Sequence, residues 1–351
     1  MTDVRVGLIG WGKAARGFHA PLIRATAGLR LAAVGNREPA AVADSVRVEC
    51  GAEVVVQTPQ AMLAGRTVDL IVVATPNDSH HEWAAAALRA GHHVVVDKPF
   101  ALDLVQAREL VALSALVRRQ LCVFHNRRWD GDFLTLRRLL TTGELGRVVE
   151  FVSHFDRFRP QRRDRWRERA VPGAGIWMDL GPHLLDQALQ LFGAPSAITL
   201  DLAVQRAGSG ADDWFDCRLR WDDGPHGGLR ARLHAGMLAA CAGPRFVLLG
   251  DKAACSIDGL DPQEEALSAG NDPTAADWGH DTRCGRLWRG NGQYEPVALE
   301  PGAYPRFYAA LRDALRDGKV LPVTCDEALQ VQGLLDTGRR SAAERREIAL
   351  G

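Results

Sequence analysis

The chain opens on short apolar runs separated by longer stretches with helical spacing. The runs are Val4–Ile9, Leu29–Val34, Val54–Val56, Leu70–Ala74, His93–Val96 and Leu121–Phe124. Between them, Ala14–Ala25, Ala40–Glu49, Glu82–Ala90 and Leu104–Arg118 read as helices. Near-continuous apolar strands alternating with helices predict a parallel sheet covered on both faces. After about Gly146 the texture changes. Arg147–Phe155 reads as a long strand and Gly175–Phe192 as an amphipathic helix. Ser196–Val204, Asp213–Trp221, Gly228–His234, Phe246–Leu249 and Ala253–Ile257 then read as strands of a mostly antiparallel sheet, with a tight turn at Asp251-Lys252. Gly259–Gly292 has little periodicity and is expected to be a long loop, before helices Pro305–Arg316 and Cys325–Arg345. The expected architecture is an α/β nucleotide-type domain over 1–124, then an α+β domain over 125–351 built on an open, mostly antiparallel sheet. The second would bind substrate and dimerise, with its last helices able to pack back on the first.

Composition narrows the class. At 351 residues the length suits about two domains. The 43 basic and 43 acidic residues cancel, so a protein-wide footprint for nucleic acid is not expected. No apolar run approaches the roughly 18 residues of a membrane span, and the N-terminus has no signal-peptide core. The seven cysteines are odd in number and form no CxxC pair, which argues against a disulfide framework or zinc knuckle. The expected location is the cytoplasm.

The first strand runs into Gly10-Trp11-Gly12-Lys13-Ala14-Ala15, a GxGxxA element. The first glycine allows the tight turn, the second lets backbone N–H groups approach a pyrophosphate, and the small third residue permits close helix packing. The helix start adds partial positive charge for the diphosphate. This is the context of a Rossmann dinucleotide site. Trp11 either walls the pyrophosphate or packs on the surface. NAD-specific sites usually carry an acid at the end of the second strand. Here the strand ends Gly35-Asn36-Arg37, which suits a 2′-phosphate and so favours NADP over NAD, with Glu38 as a competing partner for Arg37.

Thr75-Pro76-Asn77 and Asp97-Lys98-Pro99 close the fourth and fifth runs, on the ligand side of an open α/β sheet. Lys98 can hold an alkoxide or carbonyl oxygen. Of the paired histidines at 80–81 and 92–93, only His80, three residues past Asn77, is placed to touch a cofactor. Downstream, Asp179 and His183 stand at i and i+4 of the expected helix, a spacing that suits a general-base imidazole oriented by a carboxylate. It equally suits a surface contact, and Gly175 and Gly181 could signal a bend that parts the pair. No third residue completes a metal site. Arg157–Arg169 packs seven arginines around Phe158 and Trp166. It reads as a solvated charged segment, or as a loop lining a polar pocket with Trp166 as platform.

Together these motifs resemble the Gfo/Idh/MocA oxidoreductases over essentially the whole chain. That family's Glu-Lys-Pro appears as Asp97-Lys98-Pro99, and its Asp-x-Gly-x-His as Asp179, Gly181 and His183. The resemblance implies a catalytic set of Lys98, Asp179 and His183 beside a nicotinamide. The strings Gly17-Phe18-His19-Ala20-Pro21-Leu22, 126–133, 154–160 and 259–264 resemble the NADP-dependent scyllo-inositol dehydrogenase branch. The expected function is hydride transfer between NADP, or NAD, and a secondary alcohol of a cyclic polyol or sugar, of scyllo-inositol type. Asn126, Arg127 and Trp166 are further expected substrate contacts, and the resemblance points to a homodimer or higher homo-oligomer. The alternatives are a dehydrogenase of another sugar and a non-catalytic NADP-binding sensor.

Overall fold

In the computed structural model, which describes residues 3–350, six short strands line up in parallel. They are β1 (Val4–Ile9), β2 (Leu29–Gly35), β3 (Val55–Gln57), β4 (Leu70–Val73), β5 (His93–Val96) and β6 (Leu121–Val123), in the order β3-β2-β1-β4-β5-β6. Their side chains are apolar on both faces, and β4 is buried throughout, as a sheet covered on two sides requires. The strand order reverses between β1 and its neighbours β2 and β4. That reversal opens a crevice at their carboxyl ends.

Nine further strands form a second sheet: β7 (Val148–His154), β8 (Ala197–Ala203), β9 (Trp214–Arg220), β10 (Arg230–Gly236), β11 (Phe246–Gly250), β12 (Ala254–Ile257), β13 (Cys284–Trp288), β14 (Tyr294–Ala298) and β15 (Ile348–Ala349). Their order is β14-β13-β12-β11-β7-β10-β9-β8-β15, antiparallel except for the β7–β10 pair. The helices are α1 (Ala20–Arg24), α2 (Pro39–Cys50), α3 (Pro59–Ala64), α4 (His80–Arg89), α5 (Leu104–Leu116), α6 (Gly131–Thr141), α7 (Ile176–Phe192), α8 (Gln263–Ser268), α9 (Pro305–Asp317) and α10 (Cys325–Glu344). None of the described helices is long and apolar enough to cross a membrane. A Rossmann-type α/β domain followed by an α+β domain is the expected fold class.

The chain groups into two compact units: residues 1–126 with 263–278 and 303–329, and residues 127–262 with 279–302 and 330–351. In the first, α9 is tied down by Arg312 and Arg316, which donate to the carbonyls of Ala27 and Gly28, each at 2.7 Å. In the second, one face of the nine-stranded sheet packs Phe151, Phe215, Leu233 and Phe246 against Trp177, Leu184 and Leu185 of α7. Its other face carries charge. Asp216, Arg218 and Arg220 of β9 lie opposite His234, Arg232 and Arg230 of β10.

Two local expectations are corrected. The stretch 259–292 is not one loop: it holds α8 and the edge-side strand β13, which is stabilised by pairing with β12 and β14. Strand β14 follows as its hairpin partner, and β12 reaches it from across α8. The first helix is also not uniform. It begins as a π-helical turn at Ala15–His19 and becomes α-helical at Ala20, next to Pro21, which has no N–H to give.

Candidate active site

The first unit gathers its expected cofactor residues at the carboxyl ends of β1, β2, β4 and β5. Gly10 has φ +97°, and a Cβ there would lie 2.6 Å from the Ala74 carbonyl oxygen. Only glycine satisfies both demands. Its N–H donates to the Gly35 carbonyl at 2.9 Å, which ties the turn to the end of β2. A Cβ on Gly12 would meet nothing within 4 Å. The turn is therefore tight at its first glycine and open at its second, which fits a diphosphate approached by backbone. Ala15 is buried beneath the turn, and Ala14 is half-buried. Trp11 is buried, and its indole N–H donates to Ser45 Oγ of α2 at 2.9 Å, while Lys13 Nζ lies 3.6 Å from Glu264 Oε1.

At the end of β2, Asn36 Oδ1 accepts the Glu38 backbone N–H at 2.9 Å. Arg37 is exposed. Among the described residues it makes no ion pair, with Glu38 or any other acid. Gly35 sits in a crowded place, where a Cβ would lie 2.9 Å from Met62 Cε and 3.2 Å from Pro59 Cα.

The ends of β4 and β5 are knitted together. Thr75 Oγ1 accepts from Ser79 Oγ at 2.8 Å, and Pro76 leads into the buried Asn77. The His80 ring lies between two carbonyls, with Nδ1 2.8 Å from Pro99 O and Nε2 3.0 Å from Thr75 O. Both ring nitrogens thus face the backbone of the segments that carry Thr75 and Lys98. The Lys98–Pro99 bond is cis. Asp97 is buried, and its Oδ1 accepts the Lys98 backbone N–H at 2.8 Å. The carboxylate of the Asp-Lys-Pro motif therefore braces the backbone of the lysine itself.

Sequence reasoning assigned no role to what lies behind Asp97. His19 is fully buried, with Nδ1 2.6 Å from the Tyr308 hydroxyl and Nε2 4.0 Å from Asp97 Oδ2. Burial pulls the imidazole down to about 4, against the upward pull of Asp97 and with a further push from His80. Burial also raises the Tyr308 phenol well above its ordinary value. The phenol therefore stays protonated against Nδ1, while Nε2 is the ring nitrogen that faces Asp97. His19 belongs to one of the strings that carried the family resemblance. Tyr308 lies 289 residues away, and no local pattern marks it.

The second unit holds the other expected residues. Asp179 and His183 both lie on α7, which runs from Ile176 to Phe192 through an internal Pro182 and places them one turn apart. Gly181 does not part them by a break in the helix. It makes room for the Trp177 ring, whose Cε3 lies 2.9 Å from where a Cβ would stand. The helix start is fixed from elsewhere: Trp177 N–H donates to Asp212 Oδ2 at 2.7 Å and Ile176 N–H to Asp212 O at 2.8 Å. Gly175 has no side chain to cap with, and a Cβ there would collide with Asp212. Burial raises the Asp212 carboxyl, and the helix N–H groups pull it back.

His183 is buried, and Asp179 Oδ1 lies 3.5 Å from Arg167 Nε. Trp166 sits under that guanidinium, its ring centroid 4.7 Å away. Arg127 is buried with its guanidinium 3.4 Å from Asp130 and 4.8 Å from the Phe155 centroid. Asn126, the last residue of the first unit's opening segment, is buried.

Residues 4–125 match the NAD-binding Rossmann fold of an oxidoreductase family, and residues 137–350 match that family's C-terminal alpha/beta domain. The chain is 48% identical to the Escherichia coli oxidoreductase YdgJ, over the full length of both. It is 31% identical to the Bacillus subtilis scyllo-inositol 2-dehydrogenase (NADP(+)) IolW, covering 100% of this chain and 97% of that one. Among solved structures, an oxidoreductase from Yersinia pestis superposes with a TM-score of 0.91 at 43% identity, covering 100% of this chain and 98% of the other. The fold, the glycine turn and these matches together show that the chain belongs to the Gfo/Idh/MocA family of oxidoreductases.

Proposed function

We propose that the protein is an NADP-dependent dehydrogenase of a cyclic polyol, of scyllo-inositol type, with Lys98, Asp179 and His183 as its reacting groups. The observation that carries the reading is the pairing of two features. Lys98 is held at a strand end by a braced backbone, and His183 stands one helical turn from Asp179. A protein that only sensed the dinucleotide would need no such proton-transfer pair. The full-length similarity to a relative named for NADP and scyllo-inositol supports the substrate class.

The glycine turn, Asn36, Arg37, Thr75, Pro76, Asn77 and His80 are the groups that would hold the dinucleotide. Gly12 leaves the backbone accessible, and Arg37, exposed and without an ion pair among the described residues, is available to a 2′-phosphate. The nicotinamide, when bound, supplies the hydride acceptor at C4. During alcohol oxidation, the neutral His183 imidazole takes the hydroxyl proton at a ring nitrogen. Asp179 orients that ring and offsets the charge it gains. The Lys98 ammonium hydrogen-bonds the reacting oxygen and stabilises its developing negative charge. Asn126, Arg127 and Trp166 contribute to holding the polyol. The open, charge-patterned face of the nine-stranded sheet is the surface by which two copies would associate, with arginines of one meeting acids of the other. The cytoplasm is the proposed location.

Tryptophan fluorescence titration with NADP(H) and NAD(H), followed by turnover on a panel of inositols and sugars, tests the reading. Tighter NADP(H) binding and oxidation of an inositol are expected. Equal affinity for the two cofactors removes the role of Arg37. Turnover confined to open-chain or other sugar substrates removes the cyclitol.

A further inference from the structure

Apart from Trp166, the arginine-rich segment 157–169 has no part in the reaction above. Most of its charges with a located partner serve local pairs. Arg165 donates to Glu168 at 2.7 Å and Arg169 to Asp164 at 2.8 Å. Glu168 is the anchor. It is buried, accepts the Arg163 backbone N–H at 3.0 Å, and lies 3.3 Å from Arg206, itself paired with Asp213 at 2.9 Å. The Glu168 carbonyl accepts from Gly210 N–H at 3.1 Å, and the Arg167 carbonyl from Gly175 N–H at 3.0 Å. The backbone on both sides of Arg167 is thereby pinned to the region where α7 begins.

Arg167 differs from its neighbours in what it meets. Its Nε lies 3.5 Å from Asp179 Oδ1, its guanidinium stacks on Trp166 at 4.7 Å, and the two paired side chains are 30% and 18% exposed. An ion pair open to solvent to that degree contributes little to stability, so its consequence lies in geometry. The terminal torsion of an aspartate is broad and roughly two-fold. A cation fixed by a stacked indole and a stapled loop, 3.5 Å from one oxygen, narrows it.

We propose that Arg167 is a positioning residue: it holds one carboxylate oxygen of Asp179 so that the other is presented to His183. The inference rests on the reading of Asp179 and His183 as the proton-transfer pair. It gives the arginine-rich segment a definite task, in which Glu168 and Trp166 aim a single guanidinium.

Two measurements test it. The first needs no substrate. In the ¹⁵N-labelled protein the Arg167 Nε–Hε cross-peak is identified by its loss in Arg167→Lys. Asp179→Asn is expected to shift that peak and speed its exchange with water. An unmoved peak overturns the pairing. The second is kinetic, with NADP+ and scyllo-inositol. Arg167→Ala is expected to lower kcat roughly 10- to 100-fold, the scale of a misplaced catalytic group. KM and the unfolding midpoint should change little, and millimolar guanidinium should restore part of the rate. A variant with wild-type kcat, or a loss that guanidinium does not relieve, overturns the positioning role. If wild type oxidises no polyol, the proposed reaction fails, and the cross-peak still decides whether Arg167 holds Asp179.

Discussion

Several residues of this protein have their chemistry set by what lies behind them. Arg37 stands exposed at the end of β2 with no acid paired to it among the described residues. Loss of a charge-assisted contact of about 1.5–3 kcal/mol predicts that Arg37→Ala raises the NADP(H) dissociation constant roughly 10- to 100-fold, with little change for NAD(H). Parallel weakening of both cofactors in the titration would contradict the assignment. His19 makes a different prediction. Burial lowers its folded-state value from the ordinary 6.5 to about 4. Between those two values the unfolded chain takes up a proton that the folded one refuses, so unfolding gains ground as pH falls. The neutral ring's contribution is complete above about pH 6.5 and is lost on the way to about pH 4. Relative to His19→Gln, wild type should lose at most about 1.4 kcal/mol per pH unit in that window, read from urea midpoints. Parallel curves for the two proteins would refute it. Spacing made Lys98, Asp179 and His183 candidates, because i and i+4 on a helix, or the residue closing a strand, are local facts, and the family resemblance joined them into one set. Arg167 and Tyr308 are not legible in that way. One is hidden among six similar side chains, and the other reaches His19 only through a distant helix.

Elements with a strong period were readable in the sequence. The six parallel strands and the long α7 are continuous apolar or amphipathic runs, and their observed ends differ from expectation by a residue or two, as at Val55–Gln57. What escaped depends on partners elsewhere. Strand β13 exists through its pairing with β12 and β14, and α8 is a six-residue helix too short to show a period. The start of α7 is the instructive case, because its cap comes from Asp212, 35 residues downstream of Trp177. Removing a capping carboxylate costs about 1 kcal/mol, within a range of roughly 0.5–2. Asp212→Ala should lower stability by that amount. Because the first turn carries Asp179, it should also reduce kcat more than it changes cofactor affinity. A variant with full stability and full turnover would mean that the helix start needs no help from Asp212.

At the scale of the whole molecule, the chain crosses between its two units several times, so that segments 263–278 and 303–329 complete the first unit after the second has begun. Those returns supply Tyr308 behind Asp97 and Glu264 beside Lys13. Short-range sequence patterns are blind to such closures, because the stabilising contacts are hundreds of residues apart. The central claim is that this fold is used for polyol oxidation with Lys98 as the group that steadies the reacting oxygen. The direct measurement is the initial rate of NADP+ reduction with scyllo-inositol for wild type and Lys98→Ala, beside the NADP(H) dissociation constant of each. Turnover by wild type, a kcat lower by about 10²–10³ in the variant, and unchanged cofactor binding are expected. Near-normal turnover in Lys98→Ala, or none by wild type on any cyclitol, would contradict it.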